Sequence, residues 1–189
     1  MSSVLFKHNF ASVVLLIFLI NFNLQNSIAK IIFKNIKCES FDQSYVSFRE
    51  CQLKVVCRKC IALNIYAQLH QLPLTNIHLN LAILKKFSIF RPYLNNITAE
   101  FCDYLKNKRR FPFLKIFADL LMENSNINHT CPYNHDIIVS NLILREDMLT
   151  LLPLPSGDYL FHLKVAISNV WKADIKAYFS MIDDYVMKL

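Results

Sequence analysis

The chain has 189 residues, 54% of them hydrophobic, and a formal net charge of +7. One glycine in the whole chain rules out most glycine-dependent chemistry: there is no phosphate-cradling loop, no dinucleotide fingerprint and no Gly-x-Ser-x-Gly nucleophile elbow. The basic excess is scattered rather than gathered into a nucleic-acid-binding stripe, so no nucleic acid is expected as a partner.

Residues 1–29 read as a cleavable secretory signal. Lys7 and His8 open it, Phe10 to Phe22 is uncharged and apolar, and Ser27-Ile28-Ala29 places small residues before a cut at Lys30. The apolar run falls short of the ~20 residues that span a bilayer comfortably. Residues 30–189 then form one secreted, extracellular domain. Two sequons, Asn96-Ile97-Thr98 and Asn128-His129-Thr130, fit export and predict glycans on Asn96 and Asn128.

Period-two alternation dominates the rest. Strands are expected at Ile31 to Cys38 and Tyr45 to Val56, then along Leu63, Ile65, Ala67 and Leu69, and along Ile77, Leu79, Leu81 and Ile83. Further strands follow at Tyr93 to Phe101 and Ile137 to Leu144, along Tyr159 to Ile167, and along Ala173 to Met181. About eight short strands between turn signals predict a mainly β, two-sheet sandwich. Gly157, before the Tyr159 strand, fits a turn that needs positive φ. Between Phe101 and Glu123 the apolar spacing turns helical and Pro112 interrupts it, predicting two short helices with the second begun by its proline.

All six cysteines, Cys38, Cys51, Cys57, Cys60, Cys102 and Cys131, lie after the signal. An even count in a secreted chain implies disulfides, and six thiols allow fifteen pairings on sequence alone. Cys57 and Cys60 flank a two-residue turn, within bridging reach of each other if that turn is tight. A Cys102–Cys131 bridge would tie the helical insert to the sandwich, and a Cys38–Cys51 bridge would close the first hairpin.

No constellation suggests catalysis or a metal. The loop His129 to Asp136 holds several potential ligands, but a bridged Cys131 is no thiolate and Thr130 closes a sequon. His70, His78 and His162 sit on polar strand phases, where solvent exposure is the plain explanation. No nucleophile and base can be paired, so the chain is read as non-enzymatic and free of cofactors.

Several stretches together resemble a known family. They are Phe33-Lys34-Asn35-Ile36-Lys37-Cys38, Cys51 to Val56 and Phe90-Arg91-Pro92-Tyr93-Leu94, followed by Asn126 to Tyr133 with Cys-Pro-Tyr, and Leu152 to Tyr159 with Pro-Leu-Pro-x-Gly-x-Tyr. The chain is similar here to a family of secreted insect proteins, itself regarded as similar to the ML lipid-recognition superfamily and the CheB-like chemosensory proteins. That resemblance implies an immunoglobulin-like, ML-like β-sandwich whose sheets open around an apolar ligand. It also implies pairing of Cys38 with Cys51 and of Cys102 with Cys131, while Cys57 and Cys60 depart from the family's pattern.

The resulting expectation is an extracellular carrier of a small hydrophobic or lipid-like ligand, with a role in chemosensation and with Leu79, Leu81, Phe101, Leu105, Phe113, Phe117, Leu121 and Phe161 as the pocket wall. The alternative is an extracellular interaction module or receptor accessory without a ligand. In that reading the basic run Lys106 to Arg110 meets a receptor or membrane surface.

Overall fold

The computed structural model describes residues 29–58, 60–145, 148, 152 and 154–183. The proposed signal lies outside them except for Ala29, which is the first residue of strand β1. Eight strands follow in chain order: β1 Ala29–Ser40, β2 Val46–Cys57, β3 Cys60–Leu69, β4 Ile77–Lys86, β5 Phe90–Glu100, β6 Ile137–Ile143, β7 Gly157–Ile167 and β8 Val170–Asp183. They build two antiparallel sheets, a five-stranded one in the order β1-β8-β7-β4-β5 and a three-stranded one in the order β2-β3-β6. The fold is the expected sandwich with a short helical insert.

Local chemistry explains the details. Pro92 lies on β5, an edge strand, where its missing N–H breaks no internal ladder. The β7–β8 hairpin turns on Ser168 and Asn169, with φ of 49° and 64°, the left-handed pair that a two-residue hairpin demands. Gly157 has φ 144°, and a Cβ there would meet the Lys85 side chain at 3.1 Å, so both backbone and space call for glycine. The insert comprises helix α1 (Phe101–Lys106), a 3-10 turn (Lys108–Arg110) and helix α2 (Pro112–Met122) with proline in its first turn.

All six cysteines are bridged, as Cys38–Cys51, Cys57–Cys60 and Cys102–Cys131. The first bridge works differently from expectation. β1 and β2 belong to different sheets, so Cys38–Cys51 staples the two layers together rather than closing a hairpin. Cys102–Cys131 ties α1 to the loop that leads into β6. No helix among the described residues is long and apolar enough to cross a membrane.

Two cores fill the molecule. One gathers Phe33, Ile83, Leu142, Tyr159, Phe179 and Met181 between the sheets, every one of them under a tenth exposed. The other seats the insert, through Phe101, Tyr104, Leu105, Leu114 and Tyr133, against Leu74, Ile77 and Ile167.

Candidate functional site

Between those cores the sheets do not meet. A partly enclosed cavity of about 220 Å³ remains. Its three-stranded wall is Val46 and Phe48 from β2, Leu63 to Leu69 in alternation from β3, and Ile137 and Val139 from β6. Leu79 and Leu81 from β4, Phe161 to Ile167 in alternation from β7, and Ala173 to Ala177 from β8 form the opposite wall. α2 covers one flank with Leu114, Phe117, Ala118 and Leu121, and the Phe117 and Phe161 rings lie 5.4 Å apart.

The burial pattern agrees with this geometry. Ile65, Ala67, Leu69, Leu79, Leu163, Val165 and Ile175 occupy inward phases, yet each is only partly buried. In a filled sandwich the inward phase is close-packed. Here these side chains face space.

The lining offers almost nothing polar. Tyr133 is 1% exposed, and its hydroxyl is held by the carbonyls of Ile127 and His129 at 2.9 and 2.7 Å. Burial pushes its pKa up to about 12, so it stays neutral. Among the described residues Lys172 is the one charged residue of the lining. Its stem lies on the wall while Nζ sits 4.6 Å from the Tyr45 ring centre and donates to Asp42 at 2.6 Å. That hydrogen bond from Lys172, with a second from Ser44, holds the Asp42 carboxyl below the usual carboxylate range despite an opposing desolvation.

Six of the eight wall residues expected from sequence line this cavity: Leu79, Leu81, Phe101, Phe117, Leu121 and Phe161. The other two need correction. Leu105 is buried in the insert's own core, because α1 packs beside β4 and β5 rather than over the gap. Phe113 is 60% exposed. α2 is apolar around much of its circumference, so periodicity left its inward face undetermined. The seam actually used is Leu114, Phe117, Ala118 and Leu121, and Phe113 lies about a quarter-turn away from it.

Sequence reasoning missed the β2–β3 wall as a wall, although its alternation was evident. It also missed Lys172, which the even-numbered phase of β8 assigns to the outer face. A bulge explains this: Val165 pairs with Ala173 and Ala166 with Trp171, leaving Lys172 unpaired and re-aimed.

The remaining candidate residues lie elsewhere. His70 is exposed and contacts Ser47 at 2.8 Å, and His78 is partly buried. His162 is not simply solvated: only 21% of its side chain is exposed and its Nε2 meets Asp174 at 2.7 Å. In the insert loop His129 and His135 touch through their Nε2 atoms at 2.7 Å, and no group of three or more His, Cys, Asp or Glu among the described residues could hold a metal. Asn96 and Asn128 are both exposed.

Residues 79–161 match the family model described as "Protein of unknown function (DUF1091)". That stretch begins on β4, includes the insert and the Cys102–Cys131 bridge, and ends at Phe161, so it carries the helical flank of the cavity. No curated protein matches the chain.

Proposed function

We propose that this protein is a secreted, non-catalytic binding protein for a small, uncharged, hydrophobic or lipid-like ligand held between the two sheets. The observation that carries this reading is the apolar cavity of about 220 Å³, lined by partly buried inward-facing side chains. An empty void of that size costs on the order of 5 kcal/mol, comparable with the whole stability of many small domains. A ligand recovers that loss. The volume exceeds the ~150 Å³ that admits a benzene-sized guest but falls below the ~300–1,000 Å³ of drug-sized sites, so the ligand is small or slender.

Its charge follows from the wall. An ionised head group would be desolvated with no free donor to meet it, since Lys172 is already neutralised by Asp42. Secretion is supported by three disulfides, which persist in oxidising compartments, and by the leader-like residues 1–29. Exposed Asn96 and Asn128 are the glycan acceptors of this reading. The resemblance to a secreted insect family, itself regarded as similar to ML and CheB-like proteins, supports a lipid-like ligand and a chemosensory setting.

Native mass spectrometry of protein secreted by eukaryotic cells and purified without detergent tests the proposal. The expected spectrum shows a one-to-one adduct of a small apolar molecule, or uptake of one from a lipid mixture. A chain that emerges empty and stays empty refutes it.

A further inference from the structure

Both sheets present a hairpin tip at the end of the sandwich away from Tyr45 and Lys172. β1 runs toward Ser40 and β2 returns from Val46, so the β2–β3 hairpin lies at the end where β1 begins and β8 finishes. β4 finishes there too, with Lys85 opposite Tyr159 near the start of β7. At the first tip Val55 and Val56 are 77% and 49% exposed. Neighbouring strand residues point to opposite faces, so this hairpin projects beyond the cover of the other sheet. At the second tip Phe87 and Ile89 are 60% and 64% exposed. Single exposed apolar side chains are ordinary. Four large ones on two tips make a patch, and since the opposite end also exposes Phe41, Leu72, Val170 and Trp171, it is the charge beside the patch that marks this end.

Cations accompany them. Lys86 and Arg91 bracket the β4–β5 tip and Arg58 follows Val56 and Cys57; all three are exposed, and none makes an ion pair among the described residues. Glu50 is paired with Lys54, and Asp158, which accepts from the neutral Ser180 hydroxyl, is outnumbered by the three cations. Apolar tips flanked by unpaired cations match an anionic lipid surface, where the apolar groups enter the headgroup boundary and the cations meet phosphates. A second copy of the same face would bring like charges together instead.

We infer that this end docks onto anionic bilayers through Val55, Val56, Phe87 and Ile89, with Lys86 and Arg91 on lipid phosphates. The inference does not depend on the cavity being occupied.

Co-sedimentation with vesicles tests it, comparing phosphatidylcholine alone with phosphatidylcholine containing about one-third phosphatidylserine. The protein should pellet with the anionic vesicles at low salt, and less so as salt screens the surface. Lys86→Ala and Arg91→Ala should each weaken partitioning about fivefold, and the Phe87→Ser/Ile89→Ser pair should abolish it with an unchanged melting temperature. Val170→Ser, at the opposite end, should change nothing. Equal pelleting by the Phe87→Ser/Ile89→Ser pair overturns the inference, as does no binding at all. Loss of binding on replacing Lys108, Arg109 and Arg110 instead would place the contact on the insert, and a dimer that dissociates in the tip variants would make a second copy the occupant. Either result also overturns it.

Discussion

The two halves of this sandwich use the same strands in opposite ways. Along β8 the inward residues run Ala173, Ile175, Ala177, Phe179 and Met181, and along β7 they run from Tyr159 and Phe161 to Leu163, Val165 and Ile167. Where rings face one another the interior is solid. Tyr159 is fully buried, stacks on Phe179 at 5.5 Å, meets Tyr93 edge-on at 5.8 Å, and donates its hydroxyl to the carbonyl of Pro155. Toward the other end β7 and β8 present Leu163, Val165, Ile167, Ala173 and Ile175 in place of rings, and the cavity opens. Periodicity is identical throughout, so it does not distinguish the solid half from the hollow one. α2 and the Tyr45–Lys172–Asp42 cluster border that cavity.

Four tests probe this contrast, in decreasing order of expected effect. Phe179→Ala in the solid half should cost about 3–5 kcal/mol. Ile175→Ala in the hollow half should cost about 2 kcal/mol or less, because a residue facing a void has fewer contacts to lose. Urea unfolding measures both, and equal losses would mean the two halves are packed alike.

The disulfides sharpen the contrast through what they anchor. Losing Cys102–Cys131, which spans 29 residues and holds the insert beside the cavity, should cost about 2–5 kcal/mol and reduce secreted yield. Replacing both Cys57 and Cys60 by serine should be milder, since that bridge closes a separation of three residues at the tip of the solid end. Thermal melts of the two variants give the ranking, and a reversal would detach the insert from the cavity's integrity.

Filling the void is the converse test. Ala67→Phe places a ring on the cavity wall, where it should stabilise the ligand-free chain by about 1 kcal/mol and remove uptake of apolar ligands. Destabilisation by ~1–3 kcal/mol, the usual result of overpacking, would show that no space was there.

The smallest effect concerns pH at the cavity's charged border. Asp42 has a lowered pKa in the folded state, so its contribution is fully present above about pH 4 and is lost as pH falls through the folded value. Asp42→Asn should therefore be slightly less stable than the parent at neutral pH and lose less stability on acidification. Melting temperatures between about pH 3 and pH 7 check the sign, and parallel profiles would make the Lys172–Asp42 contact energetically silent.

The strands were legible because alternation reports which face of a sheet is buried, and residues such as Leu79, Leu81 and Phe161 declared their inward phase directly. The insert was legible through Pro112 and the change of period. What alternation does not carry is the distance between two facing layers, so a packed wall and a cavity wall look alike in sequence. Lys172 was hidden for a different reason, since a one-residue bulge reverses its face without leaving a pattern. Phe113 was misplaced because an almost wholly apolar helix does not announce which side it buries. The Cys38–Cys51 pairing was expected, but its role as a staple between layers became visible only when β1 and β2 were seen to belong to different sheets.

The decisive measurement is the thermal shift given by a saturating, uncharged apolar ligand of small volume, such as benzene or a short alkane, in the parent chain and in Ala67→Phe. At about a hundredfold excess over its Kd the ligand should raise the parent's melting temperature by about 5–10 °C and leave Ala67→Phe unmoved. A parent chain that does not shift, or a filled variant that shifts equally, would contradict a ligand-holding cavity between the sheets.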